Sequence, residues 1–254
     1  MGLGWFTAIR RNPTDIAGWP EINRELTHIE LSPEQIPLYQ AAWDEFKKLK
    51  HNEYKSLNNK SLKQKGDVNQ LVANLRFRQK ASILKIDSTI EYIINGLENN
   101  HQVAVSVAFQ ETLSLIKEKL AKQNIDCSVI HGQISPKEKE QNRMDFQTGK
   151  TKVILFTVEE AISLHQGEHN GTPRIMLIHD LRWSAISMNQ IEGRTHRDGK
   201  FSQIYWLFLT NTIEQDIAQI VLRRLINMNS MVGDDTQVLK DIEKLFMEKL
   251  QIKE

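Results

Sequence analysis

Between Gln190 and Gly199 the chain reads Q-I-E-G-R-T-H-R-D-G, which sets Arg194 and Arg197 three residues apart beside Gln190 and Gly193. Positions three and four apart share a face on a helix, so Gln190, Arg194 and Arg197 can project together. A guanidinium presents a planar fork of donors that suits phosphate oxygens, and two of them make a phosphate-sensing pair. The competing reading is a solvated basic helix end, where cations also favour the negative end of the dipole. His196, between the arginines, suits positioning them better than proton transfer.

Such a pair needs a scaffold. Residues 101–210 alternate short apolar runs with amphipathic stretches, the pattern of a parallel α/β sheet. The runs at 103–107, 126–130, 152–156, 174–178 and 204–208 are β-rich and of strand length, enough for a doubly wound sheet. Between them, Leu113, Ile116 and Leu120 recur at helical spacing. Ser135-Pro136-Lys137-Glu138 is a capping box with proline in the first turn; the device recurs as Ser32-Pro33-Glu34-Gln35 and, without proline, as Thr212-Ile213-Glu214-Gln215.

The flanks differ. Residues 1–30 read as an irregular arm, 33–50 as a helix and 55–70 as a polar basic loop. Residues 235–254 place Val238, Ile242, Leu245, Phe246 and Met247 on one side of a charged helix, expected to dock on the domain. Three parts follow: an N-terminal arm and helical lead-in over 1–80, the α/β domain over 81–232, and a C-terminal amphipathic helix over 233–254.

Ligands of parallel sheets gather beyond the carboxyl ends of strands. There the second run is followed by His131-Gly132, the third by Thr157 and then Glu159 to His165, and the fourth by His179 to Ala185. This reading collects the polar chemistry at one sheet edge.

Composition narrows the classes. With 254 residues, 40% of them hydrophobic, a sizeable core is available, and a net charge of +1 leaves any nucleic-acid contact to local patches. Cys127 is the single cysteine, so no intrachain disulfide forms. His165, His169 and His179 lack a carboxylate or cysteine at tight spacing, and no metal site is expected. No apolar run approaches the roughly 20 residues of a membrane span, and no signal-peptide layout is present. The expectation is a soluble intracellular protein, cytoplasmic or, in a eukaryote, nuclear, with no membrane partner.

Taken in order, these segments resemble the second, C-terminal RecA-like lobe of superfamily 2 helicases, specifically the Swi/Snf-like DNA translocases. His131-Gly132 with the helix ending at Phe146 is similar to the family's "HG" element. Thr157 stands where its motif V begins, and Gln190, Gly193, Arg194, His196 and Arg197 match its motif VI, Q-x-x-G-R-x-H-R. Asp180 and Trp183 resemble its D-L-x-W segment, and Thr212-Ile213-Glu214 its T-I-E helix. Arg10-Arg11 with Asp15, then Leu31 to Tyr39, is similar to the lead-in to that lobe. Ile162 to His165 with Trp183 to Ala185 is closer to a variant branch of viral helicase-like and strawberry notch proteins.

The resemblance implies a RecA-like, P-loop-NTPase-like sheet flanked by helices, and roles for its residues. Arg194 and Arg197 would reach the γ-phosphate of ATP, with Gln190 orienting them or the attacking water; these three are the implied catalytic residues. Gly193, His165, Arg194 and Arg197 would form the ATP side, and Thr157, His131, Gly132 and Lys139 the nucleic-acid side. The sequence departs from the pattern at Lys139, where the family usually has arginine, and at Glu160, Ala161 and Ser163, where it has glycines; His165 replaces an Asn or Asp.

The chain has no G-x-x-x-x-G-K-[ST] loop and no DExx-type box, so cradling of the triphosphate and Mg²⁺ is assigned to an N-terminal lobe outside this sequence. The 254 residues therefore read as one half of a DNA-dependent ATPase, a fragment or a split-gene product, inactive alone, whose partners are that lobe and duplex or branched DNA. The alternatives are an RNA helicase lobe and a non-enzymatic module that binds DNA or a partner.

Overall fold

The computed structural model describes residues 22–57, 63–157, 162–166, 171–196, 201–227 and 236–250. Among them, six strands form one sheet: β1 (Asn23–Ile29), β2 (Gln102–Ser106), β3 (Cys127–Ile130), β4 (Val153–Phe156), β5 (Arg174–Ile178) and β6 (Ser202–Leu209). Their order is β1-β6-β5-β2-β4-β3, and every neighbouring pair is parallel. The helices are α1 (Gln35–Leu57), α2 (Lys63–Leu84), α3 (Ile86–Glu98), α4 (Gln110–Lys122), α5 (Pro136–Gln147), α6 (Ala185–Glu192), α7 (Ile213–Asn227) and α8 (Thr236–Leu250).

The central strands are apolar almost throughout because both sheet faces are covered: every residue of β2, β4 and β5 is buried. Successive side chains point to opposite faces, so alternate residues feed two separate cores. Ala104, Ile154, Met176 and Trp206 pack with residues of α1, α2, α5, α6, α7 and α8. Val103, Val105, Leu155 and Leu177 pack with residues of α3 and α4. Gly96 lets α3 lie close on β2, since a Cβ there would stand 2.8 Å from Val103 Cγ2.

The caps act where the sequence places them. Ser135 Oγ accepts from the N–H of Glu138 at 3.2 Å, with Pro136 opening α5. Ser32 and Gln35 exchange side-chain and main-chain bonds at 3.0 and 3.3 Å before α1. α8 docks through Val238, Ile242, Phe246 and Leu250, all buried, with the Phe246 ring against Trp43, Phe46 and Trp183. Among the described residues, no helix is long and apolar enough to cross a membrane.

Two expectations are corrected. Residues 23–29 are not part of an irregular arm; they form β1, held on β6 by a seven-residue parallel register that compensates for a sparse apolar content. The polar stretch at 55–70 is not a loop throughout. α1 continues to Leu57 and α2 begins at Lys63, in keeping with the good helix propensity of Lys and Gln.

Candidate functional site

At the carboxyl edge of the sheet, the N–H of Thr157 donates to Ile130 O at 3.0 Å, which sets Thr157 beside His131 at the ends of β4 and β3. Both are half-buried, and His131 Nδ1 accepts from the N–H of Gln133 at 3.3 Å. Gly132 is exposed, with nothing within 4 Å of where a Cβ would stand, and Lys139 follows half-buried in α5. The four residues assigned to nucleic acid therefore share one region.

Arg194 lies elsewhere. α6 is capped by Ser184 Oγ, which accepts from the N–H of Ser187, and then runs back toward the amino edge of the sheet. Its eight residues span about 12 Å. At its far end Thr195 Oγ1 accepts from Ser202 Oγ, on the first residue of β6, at 2.9 Å. The single polar edge expected from the sequence thus resolves into two, because the helix that follows β5 travels antiparallel to the strands. The shared face of Gln190 and Arg194 is also corrected. The helix ends at Glu192, Gly193 caps it with an ordinary φ of −62°, Gln190 is exposed, and Arg194 lies beyond the end, 4% exposed. His196 is buried as well. Arg197, Glu159, Glu160, Ala161 and His169 lie outside the described residues.

The segment 162–166 is clamped to this amino-edge group. Leu164 donates its N–H to Arg194 O at 2.8 Å, and the carbonyl of the preceding residue, Ser163, accepts from Gln147 Nε2 at 2.9 Å. Ser163 Oγ and His165 Nδ1 are 2.5 Å apart. Gln147 Oε1 in turn accepts from Arg174 Nη2 at 3.3 Å. Arg174 is 1% exposed, its guanidinium sits 4.7 Å over the Phe146 ring, and burial pushes its pKa down to about 10. Arg174 and Gln147 were not singled out from sequence. The available signal was an arginine opening the otherwise apolar R-I-M-L-I run.

A buried polar cluster joins the D-L-x-W and T-I-E segments. Lys85 Nζ donates to Glu214 Oε2 and Oε1 at 3.0 and 3.2 Å and lies 3.9 Å from Asp180 Oδ1. Asp180 Oδ2 accepts from the N–H of Ala108 at 2.7 Å. Burial opposes its ionisation, but His179, Lys85 and that N–H outweigh burial and hold the carboxyl below its ordinary range. His179 Nε2 lies 3.0 Å from Ser82 O, so it carries the hydrogen, and Nδ1 accepts from Thr89 Oγ1 at 2.7 Å. Burial lowers the pKa of His179 to about 4, which keeps it neutral near pH 7. Trp183 packs on Phe246 and carries the Arg78 guanidinium 4.7 Å over its ring, while Arg78 Nη2 donates to Leu181 O. Trp183 is thus a packing residue that holds the turn before α6.

Residues 84–199 match the model of the helicase conserved C-terminal domain. The chain is 24% identical over 229 residues to an uncharacterized ATP-dependent helicase of Mycoplasma genitalium, covering 85% of this chain and 21% of that protein. It is 21% identical over 224 residues to the ATP-dependent RNA helicase DBP3 of Saccharomyces cerevisiae, covering 85% of this chain and 41% of that protein. Among solved structures, the Sulfolobus solfataricus SWI2/SNF2 ATPase core in complex with dsDNA matches with a TM-score of 0.64 at 20% identity, covering 89% of this chain and 49% of that one. The chain therefore spans less than half the length of each of these proteins.

Proposed function

We propose that the chain is the second motor lobe of a Swi/Snf-like translocase on duplex DNA, a reading supported by the match of residues 84–199 to the helicase conserved C-terminal domain and by the likeness to an ATP-dependent helicase of Mycoplasma genitalium. ATP would be held in trans by an N-terminal lobe with its Mg²⁺. The observation that carries this reading is the division of the site. His165, Gly193 and Arg194 lie at the amino edge and Thr157, His131, Gly132 and Lys139 at the carboxyl edge, while Thr157 and Leu164 stand only seven positions apart in the sequence. One lobe can then meet a nucleotide and a nucleic-acid backbone at once, with a short covalent path between the two.

The residues present fit a phosphate donor set. A hydrolysing ATP would supply growing negative charge on its γ-phosphoryl oxygens, which a guanidinium stabilises. Arg194 is 4% exposed, so its side chain must turn outward to meet a phosphate, which ties its action to closure against the second lobe. Arg197 would complete the pair, with Gln190 on the exposed side of α6. At the other edge, the Thr157 hydroxyl and Lys139 would contact phosphodiester oxygens, fixing register and not base sequence.

The likeness of fold to the dsDNA-bound core supports duplex DNA as the track. An RNA strand is the second reading, favoured by the match to DBP3. The test is to combine the chain with a lobe carrying the phosphate-binding loop and measure ATP hydrolysis with duplex DNA, single-stranded DNA, forked DNA and RNA. Stimulation greatest with duplex supports the reading. Stimulation by RNA alone moves the chain to the RNA class. Equal turnover by the isolated chain would sink the two-lobe account.

A further inference from the structure

We propose that Arg24 is a positioning residue for Arg194, acting through the buried carboxylate of Glu192; the inference rests on the motor reading above. Arg24 Nε and Nη2 each donate to a different oxygen of Glu192, both at 2.6 Å. Glu192 Oε1 also accepts from Trp206 Nε1 at 2.8 Å, and the Arg24 guanidinium lies 5.4 Å over the Trp206 ring. The Glu192 side chain is 0% exposed and that of Arg24 19%. One carboxylate thus ties β1, β6 and the last residue of α6 together.

The consequence falls on the turn that carries Arg194. The carbonyl of Glu192 accepts from the N–H groups of Thr195 and His196 at 3.4 and 3.3 Å, and the carbonyl of Ile191 from the N–H of Arg194 at 2.9 Å. Rotation of Glu192 would carry Arg194 with it. A buried ion pair is a poor way to add stability, because desolvation of both charges offsets most of their attraction. A bidentate fork, however, fixes the direction as well as the distance of approach. Its function here is to set the angle at which α6 ends.

The test uses the ATPase with both lobes present, purified with wild-type Arg194 and, separately, with Arg194→Ala. In the first background, Arg24→Lys keeps the charge but not the fork and lowers kcat about tenfold; Arg24→Ala lowers it about a hundredfold, the scale of a small misplacement of a reacting group. KM for ATP and affinity for duplex DNA stay within about twofold of wild type, since the Arg24 guanidinium is committed to Glu192. Glu192→Gln combined with Arg24→Ala is no slower than Arg24→Ala alone, because both act along one path. Unchanged kcat in the Arg24 variants, with Arg194→Ala inactive, overturns the positioning role and leaves the motor reading standing. A kcat that returns to wild type once corrected for folded fraction does the same, by assigning Arg24 to stability alone. Full turnover by Arg194→Ala removes the motor reading and this inference with it.

Discussion

Lys85 donates to both carboxylate oxygens of Glu214 from a side chain that is 0% exposed. The pair joins the end of α2 to the first turn of α7, 129 residues apart, with Asp180 as a third member at 3.9 Å. Lys85→Met is expected to cost about 3–5 kcal/mol of unfolding free energy, because it strands the buried Asp180 carboxylate and the half-buried Glu214 carboxylate without their cation. Adding Glu214→Gln should recover part of that loss. Urea unfolding checks both, and a cost of Lys85→Met below about 1 kcal/mol would show that the carboxylates find other partners.

Acid should weaken the fold through His179. Its pKa is about 4 when folded against an ordinary 6.5, so between those values the unfolded chain binds the extra proton. The stabilisation is fully present above pH 6.5 and is lost as pH falls toward 4, on the order of 3 kcal/mol in all. Asp180, also held low, loses its contribution in the same direction at lower pH. Unfolding curves collected from pH 7.5 to 4.5 should show this slope in the wild type and a flatter one in His179→Asn. Parallel slopes for the two would rule out His179 as the source.

Removal of Arg194 should be felt in turnover. In the two-lobe protein, Arg194→Ala is expected to lower kcat by roughly 10³–10⁵, as loss of a phosphate-stabilising arginine does, and Arg197→Ala to fall in the same range. Single-turnover hydrolysis with saturating ATP and duplex DNA separates this from weakened binding. A kcat within tenfold of wild type would assign Arg194 to structure.

Phe246→Ala tests whether α8 belongs to the domain. The ring is buried among Trp43, Phe46 and Trp183, so its truncation should cost about 3–5 kcal/mol and open α8 to protease. Unchanged stability and cleavage would make α8 a loosely held tail.

Much of this architecture was legible in the sequence where the signal is local. The runs that became β2 to β6 are apolar because both faces are covered, and Ser32, Ser135 and Thr212 announce helix starts by chemistry within three residues. β1 was hidden because an edge strand with only Leu26 and Ile29 as large apolar residues owes its form to pairing with β6, about 180 residues away. The arginine motif was legible from spacing, but its place at the amino edge depends on the direction in which α6 packs. Arg24 with Glu192, Lys85 with Glu214 and Arg174 with Gln147 meet only in three dimensions; no window of sequence contains both members of any of these pairs.

The bond from the Leu164 N–H to the Arg194 carbonyl uses no side-chain atom. Any residue except proline at 164, and any residue at all at 194, can in principle make it. The tie between the two loops is therefore blind to the identity of the residues it joins, so their side chains can be replaced while the tie survives. Ser163 and His165, where the helicase pattern has other residues, flank this tie. A lobe built this way can exchange the side chains on either side of the tie and keep the tie itself.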